Sequence, residues 1–324
     1  MKKTGSSTLK DIFMKYFLLI ATLLTCAFFA ISEPVFLRIT NMLDIFRGTT
    51  ILAIVGIGKT IVQSTGEFDF SVGATGSFAA CLIAKIMIEY IPNFYVALLI
   101  TLVAALLIGY INSLLVINVG IRAWIATFGM STALSGCAKL FTGGGTYYTM
   151  SWPDGFTTLG QGYVFEIVPV QVVVLIILAV VAYIFCERTK TGRFMYAVGA
   201  NPDAAKHVGI DGNKQKRISF LICSLCAAFA GVIQGSQLSS VSSTIGDANL
   251  MPAICTCMLG ATFMRPGVFN IPGTVLGAFL LAVISNGLTM IGASYFVKDF
   301  IQGAVLLISV GFIAIISKRT SSNR

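Results

Sequence analysis

Long apolar segments, each followed by a short polar one, run through most of the chain. They fall at residues 14–32, 48–65, 73–90, 95–117, 124–142, 166–186, 217–238, 251–263, 273–291 and 299–316. A helix needs about 20 mostly apolar residues to cross a bilayer, and the eighth segment is shorter than that. Lipid admits only helices or closed barrels, and these segments lack the alternation of barrel strands. The sequence therefore predicts an all-α polytopic membrane protein of about ten helices, some short or discontinuous, in one transmembrane domain, residues 1–324.

Composition supports the membrane prediction and adds an orientation. Hydrophobic residues make up 56% of the chain and charged residues 11%, against about 25% in soluble domains. The net charge of +9 does not indicate nucleic acid as a partner, because most basic residues outside the spans lie on one side of the membrane if both termini share that side. The exceptions are Arg38, Arg47 and Lys298. Cytoplasmic segments are enriched in lysine and arginine, so both termini are expected in the cytoplasm.

The longest polar stretch, residues 187–216, separates the sixth and seventh spans. Within it, Asn201 can cap a short helix that starts at Pro202, and Gly209 can end that helix. A soluble partner could bind such an ordered helix and, by moving it, move the helices that are buried in the membrane. The alternative is an amphipathic helix lying on anionic lipid, which would attract Lys206 and the neighbouring cations.

Two interruptions of helix regularity occur at membrane depth. The first is Gly-Glu-Phe-Asp-Phe-Ser-Val-Gly at residues 66–73, and the second covers residues 246–252, with further proline and glycine residues after it. Non-helical backbone persists there only when it is buried in protein or faces water, so such interruptions often mark a translocation route. The first could instead be a simple turn at the membrane surface. Its acids, Glu67 and Asp69, could also neutralise Lys59 in the second span.

A weak internal repeat links the fourth and ninth spans. The fourth ends in Leu-Ile-Gly-Tyr-Ile-Asn-Ser-Leu and the ninth in Leu-Ala-Val-Ile-Ser-Asn-Gly-Leu, which places Asn112 and Asn286 at matching positions. Repeated halves are common in transporters and put the substrate route at their interface. The two asparagines could equally be hydrogen-bonding groups between helices, each contributing about 1 kcal/mol.

The chain lacks the residue patterns of an enzyme. Gly58-Lys59-Thr60 resembles the end of a phosphate-binding loop, but Ala53 stands where that loop needs glycine, and the segment lies in an apolar span. His207 is the only histidine, and no nucleophile elbow occurs. The eight cysteines follow no complete disulfide or metal-binding pattern. We therefore expect no catalytic residue, no metal site and no cofactor bound by this chain.

Four groups of residues match the motifs of a known family. Residues 66–73 are similar to that family's Gly-Gly-Ile-Asp-Leu-Ser-Val-Gly, and residues 125–130 match the opening of its fifth span. Residues 191–210 follow its cytoplasmic loop closely, and residues 273–278 together with 286–288 complete the match. On these motifs the chain resembles the inner-membrane permease subunits of ATP-binding cassette importers for ribose and related monosaccharides.

The resemblance implies a non-catalytic permease that moves a ribose-like sugar across the bacterial cytoplasmic (inner) membrane by alternating access. It implies three protein partners: a second permease subunit, identical or related; a separate ATPase that binds ATP and Mg²⁺; and an extracytoplasmic substrate-binding protein. The stretch at 187–216 would be the cytoplasmic coupling loop, with a small exposed surface formed by its two alanines. The coupling residues would be Arg193, Asn201, Asp203, Ala204, Ala205 and Gly209.

Candidate pathway residues come from the first interruption and from the repeat. They are Gly66, Phe68, Asp69, Phe70, Ser71, Gly73, Asn112 and Asn286. Aromatic faces and amide groups could contact a neutral polyol without holding it tightly, although helix packing alone would also explain the phenylalanines.

Departures from the family pattern leave the solute open. Met264 and Arg265 stand where the family has small residues, and Lys59 replaces a neutral residue. Related permeases carry nucleosides, branched-chain amino acids or an autoinducer-2-like furanose. From a different class, an ion-coupled secondary transporter or channel would use Lys59, Glu67, Asp69 and Lys139 as an ion relay.

Overall fold

The computed structural model describes residues 5–322, most of which are helical. The α-helices are α1 (Gly5–Ser32), α2 (Ile39–Gln63), α3 (Val72–Lys85), α4 (Phe94–Ile117), α5 (Ala123–Thr142), α6 (Asp154–Gln161), α7 (Val170–Arg188), α8 (Lys190–Ala200), α9 (Pro202–His207), α10 (Gly212–Leu238), α11 (Leu250–Gly260), α12 (Ile271–Met290) and α13 (Tyr295–Ser322). A π-helical turn, Ile86–Tyr90, extends α3, and a 3₁₀ turn, Asp247–Asn249, precedes α11.

Two short antiparallel strand pairs accompany the helices. Strand β1 (Thr146–Tyr148) pairs with β4 (Ser240–Ser242). Strand β2 (Tyr163–Val164) pairs with β3 (Val168–Pro169). Both pairs lie in connections between membrane helices, so they do not change the all-α class of the fold.

Seven helices in the described part of the chain are long and apolar enough to cross a membrane. They are α1, α2, α3 with its π turn, α4, α7, α10 and α12. Helices α5 and α13, together with the discontinuous crossing that contains α11, complete the ten predicted spans. Because α11 has only 11 residues, its crossing is completed by the chain between Ser239 and Asn249, which is not α-helical. The predicted fold class is confirmed.

Several predicted boundaries are wrong, and the reasons are local. Helix α2 begins at Ile39, well before residue 48. The residues that precede the apolar segment include polar ones and are also helical, and among them Arg47 pairs with Asp44 at 3.1 Å. Helix α7 begins at Val170 and not at residue 166, because the β2–β3 hairpin takes up the preceding residues.

The bundle has two ends, and different elements mark them. We call one the basic face: it carries α8, α9, the turn between α2 and α3, and the ion pair between Arg265 and Glu187 (2.9 Å). We call the other the strand face, because it carries α6 and the β1–β4 pair. Helices α2, α4 and α7 run from the strand face to the basic face, whereas α3, α5, α10 and α12 run the opposite way.

Helix α10 lies at the centre and packs against α2, α3 and α4. Small residues allow these close approaches, as is typical of helices packed in a membrane. A Cβ atom added to Gly231 of α10 would lie 2.1 Å from the Gly76 carbonyl oxygen of α3. One added to Gly109 of α4 would lie 2.7 Å from the Phe220 carbonyl oxygen of α10. The apolar core is continuous between α2, α7 and α10.

The weak repeat seen in the sequence corresponds to an inverted arrangement. Helix α4 packs on α10, and its counterpart α12 packs on α2. Because α4 and α12 run in opposite directions, Asn112 lies near the basic face and Asn286 near the strand face. Helices α3 and α11 are likewise each preceded by a segment that is not α-helical: residues 64–71, the first break, and residues 239–249, the second break. The two breaks reach the interior from opposite faces.

Candidate functional site

The first break folds around the carboxylate of Asp69, which is buried. Its Oδ1 accepts hydrogen bonds from the backbone N–H of Ser71 (2.7 Å) and from the Ser71 hydroxyl (2.6 Å). Asn112 of α4 donates its side-chain N–H to the same hydroxyl oxygen at 3.0 Å. Thr127 of α5 accepts from the Phe70 N–H at 2.9 Å. The first break is therefore held between α4 and α5 by polar contacts, which a simple surface turn would lack.

Lys59 of α2 supports the same segment from the other side. Its side chain is 1% exposed, and Nζ donates to the Asp69 carbonyl oxygen at 2.6 Å. Nζ also lies 5.4 Å from the centre of the Phe70 ring, within the range of a cation–π interaction. Glu67 pairs instead with Lys216 of α10 at 2.6 Å, so the expectation that Glu67 neutralises Lys59 is wrong.

The predicted pathway residues occupy two separate places. Asp69, Ser71, Gly73 and Asn112 are brought together inside the bundle, and Asn112 has no exposed surface. Asn286 lies apart, where it donates to the Asn41 side-chain oxygen at 2.9 Å.

The remaining residues of the first break lie closer to the surface. Gly66 is exposed and adopts a left-handed conformation (φ +84°), which lets the chain turn after α2. Phe68 is 39% exposed, while Phe70 is half-buried beside Lys59. Phe68 lines a cavity of about 470 Å³ at the basic face, together with Arg122 and Trp124.

The polar loop forms the short helix that the sequence predicted. The Asn201 side-chain oxygen accepts from the Ala204 N–H at 3.0 Å, Pro202 occupies the first turn, and Gly209 ends the element at φ +80°. Arg193 on α8 and Asp203 on α9 are exposed. Of the two alanines, Ala204 is exposed and Ala205 is buried (4% exposed). The small exposed surface expected from both alanines is therefore formed by Ala204 alone.

Helix α8 is in direct contact with the first break. A Cβ atom at Gly199 would lie 2.2 Å from the Ser64 carbonyl oxygen and 3.1 Å from the Gly66 nitrogen. Only glycine allows this approach of backbone to backbone. The ion pair between Glu67 and Lys216 adds a second contact between the first break and the start of α10. Movement of α8 would thus be passed to the first break, which contains Asp69.

The second break contacts the start of α3, directly after the first break. Ser77 accepts from the Gly246 N–H at 2.9 Å and donates its hydroxyl to Asp247 Oδ1 at 3.0 Å. A Cβ atom at Gly246 would lie 2.5 Å from the Gly73 carbonyl oxygen. The Asp247 side chain is exposed on the described bundle. The sequence analysis identified residues 246–252 as an interruption but did not name Asp247 as a candidate site residue. The presence of a carboxylate inside that interruption could have indicated it.

A bundle of membrane-crossing helices in which two interrupted crossings meet inside the layer is the architecture of a membrane transport protein. Comparison with known sequences gives the family. The chain belongs to the family described as branched-chain amino acid transport system / permease component, which matches residues 41–310. This confirms the family membership predicted from the motifs. No solved structure matches the chain.

Similar proteins match most of the chain. The ribose import permease protein RbsC of Escherichia coli strain K12 is 33% identical over 299 residues, 90% of this chain and 91% of that protein. RbsC of Bacillus subtilis strain 168 is 30% identical over 281 residues, 87% of each chain. The autoinducer 2 import system permease protein LsrC of Enterobacter sp. strain 638 is 31% identical over 275 residues, 85% of this chain and 79% of that protein.

Proposed function

We propose that this chain is the non-catalytic transmembrane subunit of an ATP-binding cassette importer that carries a ribose-like monosaccharide across the bacterial cytoplasmic membrane. A separate ATPase subunit binds ATP and Mg²⁺, an extracytoplasmic binding protein delivers the sugar, and a second permease subunit completes the route. The ribose import permeases among the relatives support the sugar, and the autoinducer 2 permease supports a furanose-derived solute as the second candidate.

The contact between α8 and the first break is the observation that carries the mechanism. An ATPase that docks on α9 would displace α8, and the Gly199–Ser64 contact would pass that displacement to Asp69 and to the start of α3. The free energy of ATP binding and hydrolysis would then shift the population between outward-open and inward-open states. Because the basic face carries the polar loop with its many cations, we place that face and both termini in the cytoplasm.

The proposal is tested by reconstitution into liposomes with and without the companion proteins. With the ATPase and the loaded binding protein present, uptake of labelled ribose should require ATP, and deletion of residues 201–209 should abolish it. The chain alone should transport nothing, whether or not an ion gradient is applied. Uptake by the chain alone in response to an ion gradient would instead establish the secondary transporter. A panel of ribose, nucleosides, a furanose signal and branched-chain amino acids identifies the solute.

A further inference from the structure

Polar groups lie on one side of the bundle about halfway across the membrane layer. Helix α11 starts at Leu250 and ends at the basic face with Gly260, and its 11 residues rise about 16 Å. The hydrocarbon core of a bilayer is about 30 Å thick, so the start of α11 lies near its middle. Asp247 stands just before that point and is exposed, as are Thr244 and Ala248.

Lipid cannot cover this surface. The exposed second break is not α-helical, and such backbone at membrane depth occurs only against protein or water. A charged side chain at the middle of the bilayer is also energetically costly when it contacts lipid. Lys139 of α5 is exposed on the same side, and its charge acts on Asp247. Two opposite charges therefore share one surface that must be in contact with water or protein.

Helix α5 extends the same surface with small and polar residues. Between residues 129 and 137 its exposed positions are Gly129, Thr132, Ala133, Gly136 and Cys137, whereas nearer its ends α5 exposes Trp124, Ile125, Phe128 and Leu140. A Cβ atom added to Gly129 or Gly136 would meet nothing within 4 Å, so both positions face open space.

Other helices expose a different kind of surface. Helix α4 presents Leu99 and Leu107, and α7 presents Ile176, Ile177 and Val180. Those are the branched apolar side chains suited to lipid contact. The segment of α5 from residue 129 to residue 137 therefore differs from the lipid-facing helices in the chemistry of its exposed residues.

We infer that α5 and residues 244–249 form one wall of the solute route, and that Asp247 contacts the solute at the membrane midplane. A second copy of the chain, or a related subunit, supplies the opposite wall, because the surface is open on the described chain. This inference rests on the proposed function and adds the location of the route and the group that recognises the solute. We call the surface the α5 wall.

The chemistry of Asp247 suits a polyhydroxylated solute. A carboxylate accepts hydrogen bonds from neighbouring hydroxyl groups, and hydrogen bonds to a charged group are the stronger ones. The Ser77 hydroxyl fixes Oδ1 at 3.0 Å, which orients the carboxylate. Next to it, Asn249 donates to the Gln234 side-chain oxygen at 2.6 Å, and this pair adds amide groups at the same depth. Lys139 on the same side carries the opposite charge, which disfavours a cationic solute.

Cys137 provides a test on the unaltered sequence. In the assembled transporter, a membrane-impermeant cationic methanethiosulfonate reagent should modify Cys137 and block ATP-dependent uptake. In the Cys137→Ala variant, the uptake that is measured before treatment should be unchanged by the reagent. In that background, a cysteine introduced by Ile177→Cys on α7 is the matched control and should not react, because it faces lipid. Absence of Cys137 modification, read by the mass of the protein, would overturn the α5 wall.

Asp247 is tested separately by Asp247→Asn, which keeps the shape of the side chain and an acceptor for Ser77. Loss of the charge should raise the KM for the sugar about tenfold and change the ranking of deoxy-sugars, while ATPase stimulation by the permease is unchanged. Asp154→Asn, an exposed acid on α6 at the strand face, is the control.

The outcomes separate this inference from the proposed function. If Asp247→Asn lowers thermal stability but leaves the KM and the sugar ranking unchanged, the role of Asp247 is structural and the inference fails. If the complete system shows no ATP-dependent uptake of any solute, the proposed function fails instead. In that case the mass readout at Cys137 still decides whether the α5 wall is open to water.

Discussion

Gly199→Ala tests the transmission of movement from the polar loop to the membrane core. The new Cβ atom would lie 2.2 Å from the Ser64 carbonyl oxygen. A carbon atom and a carbonyl oxygen in close contact are separated by about 3.3 Å, so α8 must move away from the first break by about 1 Å. Overpacking of this kind costs about 1–3 kcal/mol. A free-energy cost of 1.4 kcal/mol corresponds to a factor of ten in an equilibrium. The arrangement in which α8 contacts the first break would therefore be populated about tenfold less.

The assay compares sugar uptake with ATP consumption in the same proteoliposomes. We expect Gly199→Ala to assemble with the ATPase and to hydrolyse ATP, but to import about tenfold less sugar per ATP. Gly212→Ala is the matched control on the same loop, because its Cβ would lie 3.6 Å from the nearest atom, a Val198 methyl carbon. That is ordinary contact, so the control should import sugar at the normal rate.

Two results would refute the reasoning. Normal sugar import per ATP by Gly199→Ala would show that the contact between α8 and the first break does not transmit movement. Equal losses of sugar import per ATP in Gly199→Ala and Gly212→Ala would show that the loop tolerates no added methyl group. The contact between Gly199 and Ser64 would then not account for the loss.

Three further predictions concern the interior. Lys59→Met removes the buried donor to the Asp69 carbonyl oxygen and should destabilise the protein by about 2 kcal/mol, seen as a lower Tm; an unchanged Tm would contradict the support role. Gly231→Ala should also lower the Tm, because α3 and α10 must separate, whereas Gly129→Ala should not, since its Cβ meets nothing; equal effects would contradict this packing argument. Asn112→Leu and Asn286→Leu should slow uptake by removing interior hydrogen bonds, and full transport by both would end their assignment to the pathway.

Local sequence signals predicted the class of the fold and the structured part of the polar loop. Hydrophobic segment length determines where helices can cross lipid, so ten crossings were predictable. The cap at Asn201 and the stop at Gly209 act over a few residues, and both are found as predicted. The burial of Ala205 depends on which side of α9 faces the bundle, and neighbouring residues alone do not determine that side.

The parts of the site that depend on distant contacts were not predictable. The meeting of Gly73 with Gly246 joins residues far apart in the sequence, and no periodicity indicates it. The pairing of Glu67 with Lys216 has the same origin. The sequence match between Asn112 and Asn286 suggested one shared place, but the inverted arrangement puts them near opposite faces.

The contact between Gly246 of the second break and Gly73 at the start of α3 has a mechanical consequence. Main-chain atoms touch there without a side chain between them, so no rotamer change can absorb a small shift. In the proposed transporter, a displacement that begins at one membrane surface would be passed through this contact to the opposite half of the subunit. Under the proposed function, the two halves of the subunit would therefore move together, so that one side of the route would close as the other opens.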